Sequence, residues 1–187
     1  MEQKHRKLDL ICYDKLNEHK IGDAYGITDW VARPYAHWLN VYCTKYEIDT
    51  PLRLSAFLAQ IGHESGRLRY VEELASGKAY EGRTDLGNTT KGDGVRFKGR
   101  GLIQITGRYN YTELANDTDV DFVSYPELLK EPEFAVMSAC WFWDKRKLNM
   151  LADEERFRDI TKKINGGYNG LEDREKLYAK CRRMLNV

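Results

Sequence analysis

Ten of the fifteen glycines in this 187-residue chain fall between residues 62 and 107, and that clustering limits the fold more than any other feature. Each glycine inside a helix costs roughly 1 kcal/mol relative to alanine. Glycine at this density therefore specifies turns and close backbone approaches rather than long helices. The flanks read differently. The chain is expected to be a helical body interrupted by a turn-rich insert, with a ligand cleft where the two meet.

The helical signals on either side are explicit. "RPYAHWLNVYCTKYEI" places Tyr35, Trp38, Leu39, Tyr42, Cys43 and Tyr46 at three- and four-residue spacing, which predicts an amphipathic helix. "DTPLRLSAFLAQIGHE" opens with Thr50 as N-cap and Pro51 at the first helical position. "PEFAVMSACWFWDKRK" starts at Pro132 and closes in a basic turn. "ADEERFRDITKKIN" predicts one helix stopping at Gly166-Gly167, and "GLEDREKLYAKCRRML" the closing one. Within the insert, "VRFKGRGLIQIT" has short alternating pieces that predict a small hairpin. Trp30, Trp38, Trp141 and Trp143 are assigned to the core.

Several function classes are set aside by charge and pattern. Thirty Lys and Arg against twenty-nine Asp and Glu give +1, so no global field recruits nucleic acid. The opening "MEQKHRKLDLICYDK" has no apolar signal region, and no run approaches the roughly 18 apolar residues of a membrane span. A chain made in the cytosol with no export signal and no membrane insertion is the expectation. Cys12, Cys43, Cys140 and Cys181 are widely spaced among apolar neighbours, which predicts buried free thiols. "GDGVRFKGRG" lacks the GK[ST] of a phosphate loop.

"LAQIGHESGRLRY" poses the functional question. Leu54, Phe57, Leu58 and Ile61 form the inward stripe of their helix, and Glu64 extends that stripe instead of the wet face. A dry carboxyl group is expected to hold its proton more tightly, which suits a proton donor for glycosidic cleavage. The plainer alternative is a helix-end glutamate paired with Arg67 or Arg69. His63 precedes it, but "HESGR" lacks the second histidine of a zinc protease motif, so no metal is expected. Glycosidic cleavage needs a second carboxylate across the sugar. Glu72, Glu73 and Glu81 are the candidates. Gln104 and Thr106 share a face if their segment is a strand, and with Tyr109, Asn110 and Tyr111 they offer polar groups and aromatic faces for carbohydrate. Asn165 before Gly-Gly is, by position alone, more often a plain helix cap than a ligand contact.

Four motifs in order, "AQIGHESG", "YEGRTDLGN", "FKGRGLIQITGRYNY" and "INGGYNGLEDREKLY", resemble family 19 glycoside hydrolases, the chitinase and phage-endolysin group. The resemblance runs from about Thr50 to Tyr178. It implies a mainly α, lysozyme-like α+β fold: a helical body with a small loop and β-hairpin lobe flanking a substrate cleft. It implies a single catalytic domain over 1–187, with 1–50 as helical scaffold, 51–187 as core and no separate wall-binding domain. Position by position, the family's general acid falls on Glu64 and its base on Glu81, with Glu73 as the rival second carboxylate. The residue that steadies the attacking water falls on Thr106. His63, Gln104, Tyr109, Asn110, Asn165 and Arg174 fall on substrate-cleft positions. Arg67 departs from the pattern, since many members carry glycine there.

The resemblance implies acid/base hydrolysis with inversion and no cofactor. Chitin and peptidoglycan share β-1,4-linked N-acetylated sugars, so either is a substrate candidate. The leading expectation is an endolysin, a monomer. It would wait in the host cytoplasm and cleave peptidoglycan between N-acetylmuramic acid and N-acetylglucosamine once the membrane is permeabilised. A chitinase is the alternative, and a non-catalytic sugar-binding module the alternative of a different class.

Overall fold

The computed structural model describes residues 16–187. Cys12 and the charged opening stretch lie outside the described residues. Helix α1 (Glu18–Tyr25) is capped by Asn17, whose side chain accepts from the Lys20 amide, and ends at left-handed Gly26. Helix α2 (Asp29–Lys45) starts earlier than its apolar pattern and takes in Pro34. Because Pro34 has no N–H, that position forgoes one backbone bond within the first two turns. Helix α3 (Pro51–Glu64) begins as its sequence predicts: Pro51 is the first residue and Thr50 Oγ1 accepts from the Arg53 amide at 3.2 Å.

The glycine-rich insert follows. It holds 3₁₀ turns at Lys78–Tyr80 and Thr84–Leu86, the one-turn helix α4 (Asp93–Arg96) and then helix α5 (Arg108–Thr118). The expected hairpin is not formed. Arg100 makes single antiparallel bridges with Glu72 on one side and Ile105 on the other. Gly101 (φ 82°) and Gln104 (φ 57°) are both left-handed, so the chain reverses between Arg100 and Ile105 and leaves no length for strands. The Arg100 guanidinium, 5% exposed, ties the insert together through Glu72, the Arg96 carbonyl and the Tyr111 hydroxyl.

After a 3₁₀ turn at Pro126–Lys130 come α6 (Pro132–Lys145), α7 (Leu148–Asp153), α8 (Phe157–Asn165) and α9 (Leu171–Met184). The single helix expected over 152–165 is broken between α7 and α8, where Glu155 takes φ 54°. The break lets Phe157 stack on Tyr178 of α9, with centroids 4.2 Å apart.

The body packs around α3. Ala56, Phe57, Ala59 and Ile61 have no exposed surface, and burying a side chain the size of Phe57 stabilises the fold by roughly 1.5–3 kcal/mol. Phe57 meets Trp143 of α6 edge-on at 5.4 Å. Along its other side α3 lies against α9, while α2 packs on α6. Trp141 and Trp143 are buried, as are the free cysteines Cys43, Cys140 and Cys181. Trp30 corrects the expectation: as the second residue of α2 it is 78% exposed. Trp38 is half-buried.

α1 reaches α3 through a glycine. The Tyr25 hydroxyl donates to the Leu58 carbonyl at 2.6 Å, and its ring covers Gly62 so closely that a Cβ there would sit 2.8 Å from Cε1. Gly62→Ala is expected to lower stability by about 1–3 kcal/mol through overpacking, a fall of roughly 3–10 °C in Tm for a chain of this size. Thermal denaturation followed by circular dichroism checks it; an unchanged Tm contradicts the packing described.

Candidate active site

Glu64 is the last residue of α3. Its side chain is 22% exposed, so it does not turn out into bulk water. Neither Arg67 nor Arg69 is its partner. Arg174 of α9, 1% exposed, donates from Nη2 to Glu64 Oε1 at 2.5 Å. The same guanidinium donates from Nη1 to Gln60 Oε1 and from Nε to the Asn169 carbonyl at 3.3 Å. Gln60, fully buried, is in turn held by its amide donating to Thr161 Oγ1 at 2.8 Å. Glu64 thus sits at the inward end of its stripe, as expected, but against a fixed polar network, and it is paired as the plainer alternative required, with a different arginine. Its second oxygen makes no hydrogen bond to a described residue. Arg174, which the resemblance puts in the substrate cleft, is buried with its guanidinium on Glu64, Gln60 and the Asn169 carbonyl.

A second network runs alongside. His63 Nδ1 donates to Asp173 Oδ2 at 2.7 Å, and Arg67 Nη2 donates to Oδ1 at 2.5 Å. Burial pushes the Asp173 carboxyl up, but the bonds from His63 and Arg67 outweigh it and hold the group below the ordinary carboxylate range. His63 and Arg67 thus keep an ionised partner down to acidic pH. Arg67 and Leu68, at φ 62° and 65°, are both left-handed. Ser65 stabilises that turn: its hydroxyl donates to the Ile61 carbonyl and accepts from the Leu68 amide.

The three candidates for a second carboxylate have different surroundings. Glu72 Oε1 accepts from Arg100 Nε at 2.9 Å, with Lys98 Nζ at 3.5 Å. Burial raises its pKa, but Arg100 and then Lys98 more than reverse this, and the net shift is downward. Glu81 accepts from two backbone amides, Gly92 at 2.6 Å and Gly94 at 2.9 Å, and so caps the one-turn α4. Gly94 has to be glycine for this, because a Cβ would lie 2.5 Å from the Glu81 nitrogen.

Glu73 is different. Its Oε2 accepts from the Tyr80 hydroxyl at 2.9 Å, while Oε1 is buried with no hydrogen-bond partner among the described residues. The bond to Glu73, then burial, raises the Tyr80 phenol above its usual value, so it stays a donor. Around Gly99, Gln104 Oε1, Glu73 Oε2 and Thr106 Oγ1 bracket one point, at 2.8, 3.0 and 3.2 Å from where a Cβ would stand. The missing side chain of Gly99 is what lets the three polar groups converge.

The remaining expected residues divide between this cluster and its supports. Gln104 donates from Nε2 to the Gly101 carbonyl, fixing its left-handed turn, and the Thr106 hydroxyl donates to the Gln104 carbonyl. Asn110 donates to the Thr106 carbonyl at 2.7 Å and so steadies that residue. Tyr109 is 56% exposed, its hydroxyl on Glu113. Asn165 ends α8 with its Nδ2 buried and unpaired among the described residues. Gln60, Tyr80 and Asp173 were not singled out by sequence. Gln60 had a signal: it lies one helical turn before Glu64 on the same face, where a buried amide needs a partner. Among the described residues no group of three or more His, Cys, Asp or Glu is arranged to hold a metal ion.

The sequence profile of the family described as Chitinase class I matches residues 39–151, a span that contains Glu64, Glu73, Glu81 and Thr106. A glycosyl hydrolase family 19 domain-containing protein of Haemophilus influenzae is 31% identical over 158 residues, covering 68% of this chain and 77% of that protein. An endochitinase of Arabidopsis thaliana is 36% identical over 115 residues, covering 61% of this chain but only 39% of its own length. Chitinase C from Streptomyces griseus shares the fold, with a TM-score of 0.74 at 19% identity over 92% of this chain and 77% of that one.

Removing Arg174 leaves Glu64 and Gln60 without their shared donor. Arg174→Ala is expected to cost about 3 kcal/mol of stability, the low end for breaking a buried ion pair, because Glu64 is partly solvated. It should also slow turnover at least tenfold in protein that remains folded. Urea denaturation and initial rates check the two effects; a folded variant with the unaltered rate would remove Arg174 from the site.

Proposed function

Because the chain belongs to glycoside hydrolase family 19, the class I chitinase family, we propose that it hydrolyses β-1,4 bonds in polymers of N-acetylglucosamine, with Glu64 as proton donor and Glu73 as base. One observation carries the assignment of the base. Of the three acids within reach in sequence, only Glu73 has a buried carboxyl oxygen without a partner among the described residues, and only Glu73 meets Gln104 and Thr106 at a common point. Glu72 is bound to Arg100 and Glu81 to two main-chain amides. Redirecting Glu81 toward a water would uncap α4.

The reaction needs one water and no cofactor. Glu64 gives its proton to the glycosidic oxygen as the bond to the anomeric carbon breaks. Water attacks that carbon from the opposite face, and its proton passes to Glu73 as the new carbon–oxygen bond forms. Inversion calls for a gap of roughly 6.5–9.5 Å between the two carboxyl groups, wide enough for the water. Thr106 Oγ1 and Gln104 Oε1 are placed to orient that water beside Glu73. Glu64 is anchored to the helical body by Arg174 and Glu73 to the insert by Tyr80, so the sugar lies where the two meet. The Asn165 amide, buried and unpaired, is a donor that an N-acetyl carbonyl would satisfy.

Arg67 favours a second reading, the endolysin that cleaves peptidoglycan between N-acetylmuramic acid and N-acetylglucosamine. It follows Glu64 by three residues, is about one-third exposed, and donates to Asp173 through one nitrogen. A guanidinium there would attract the lactyl carboxylate of muramic acid, which chitin lacks.

Three variants assayed on chitin oligomers and on purified peptidoglycan test both readings. Glu64→Gln and Glu73→Gln are expected to lose about 10²–10⁴-fold in rate, the usual scale for general acid and base. Glu81→Gln should keep at least a tenth of the activity while loosening the insert. A Glu81 variant as dead as the Glu73 variant would move the base to Glu81. Fragments released from peptidoglycan but not from chitin would replace the first substrate reading with the second.

A further inference from the structure

A cavity of about 440 Å³ opens on the insert, between the 90–96 segment and the loop at Val123 and Ser124. Its charge is unbalanced. Arg108 reaches it from the start of α5 and forks onto Asp93, Nε to Oδ2 at 2.8 Å and Nη2 to Oδ1 at 2.5 Å. The Asp93 side chain is 2% exposed, so one buried acid answers one arginine. Among the described residues Arg96 has no carboxylate on its guanidinium; Nη2 and Nε donate to the carbonyls of Val123 and Ser124, at 2.9–3.3 Å. Lys91 lines the same space, exposed, with no carboxylate paired to it among the described residues. Two other acids nearby are already engaged: Asp121 by the Ser124 amide and hydroxyl, with Arg96 a minor influence, and Glu81 by the Gly92 and Gly94 amides.

The two guanidinium groups are not free to swing out. Both lie against the buried ring of Phe97, Arg108 at 4.6 Å and Arg96 at 5.7 Å from its centroid. Each keeps its Nη1 without a partner among the described residues. With Lys91 Nζ and the Thr90 hydroxyl they give a cavity lined by donors, three cations and one already neutralised acid. Planar guanidinium forks match carboxylate and phosphate oxygens. The volume falls within the range of small-ligand sites and exceeds what a bare ion needs.

We propose that this cavity binds an oxyanion, a carboxylate or a phosphate, carried on a sugar residue, at a site separate from the Glu64–Glu73 pair. The site uses none of the groups assigned to hydrolysis, so it stands or falls independently of the proposed reaction.

Titration of the ¹⁵N-labelled full chain, read at the arginine Nε–H signals, tests this. The probes are N-acetylmuramic acid, N-acetylglucosamine 1-phosphate, neutral N-acetylglucosamine and inorganic phosphate. Saturable shifts of Arg96 and Arg108 with either acidic sugar are expected, and the responding probe identifies the oxyanion. Affinity should fall at least tenfold in Lys91→Ala, an exposed change that leaves the fold intact, and further in Lys91→Ala/Arg96→Gln. Absence of saturation with both acidic sugars overturns the site. Equal affinity in the variants, or equal binding of the neutral sugar, overturns it as well. Inorganic phosphate binding as tightly as the sugar acids would reduce it to an unselective anion contact and overturn the sugar part of the proposal.

Discussion

The rest of the site depends on one buried guanidinium. Arg174 comes from the last helix, and with three donors it joins Glu64 and Gln60 of α3 to the Asn169 carbonyl just before its own helix. A charge this deep is tolerated only when its hydrogen bonds are met. That requirement ties α3 to α9 at this point, and the same contact fixes the direction of the carboxyl group proposed as the proton donor. Stability of the body and placement of Glu64 are thus one interaction seen from two sides.

The insert solves a different problem. It has no strands and few residues in helices, so its rigidity comes from polar groups that cap one another across close-packed glycines. Glu81 holds the 92–94 turn, Asn88 bridges the Tyr80 carbonyl and the Arg108 amide, and Arg100 gathers Glu72, Arg96 and Tyr111. Within that frame Glu73 is the acid left with a buried oxygen unmatched among the described residues. A buried, unpaired acceptor costs about 1–3 kcal/mol. A protein keeps such a group where a ligand or a water will complete it.

Much of the body was legible from local chemistry. Thr50-Pro51 and Pro132 mark helix starts because capping and fixed φ are properties of neighbouring residues, and the stripe through Leu54, Phe57 and Ile61 placed Glu64 correctly at its inward end. What failed depends on contacts distant in sequence. The hairpin over 95–106 was lost because Gln104 takes a left-handed conformation that its residue type does not announce. Trp30 was assigned inside on residue type alone, whereas its place at the opening of α2 leaves it outside. The choice between Glu73 and Glu81 turns on backbone amides at Gly92 and Gly94 and on the missing Cβ of Gly99, none of which is visible in the spacing of the acids. The family resemblance offered Glu64 as acid, Thr106 beside the water and both Glu81 and Glu73 for the base; the surroundings of those two acids are what separate them here.

The account rests on two carboxyl groups acting from opposite faces of a sugar, one on the body and one on the insert. The anomeric configuration of freshly released product, followed by proton NMR from the first minutes of chitin hexamer cleavage, tests that most directly. Inversion of a β-linked substrate predicts the α-anomer first, relaxing later to the equilibrium mixture. Initial release of the β-anomer, or of an anhydro end, would contradict the assignment of Glu64 and Glu73 as an acid and base separated by a water.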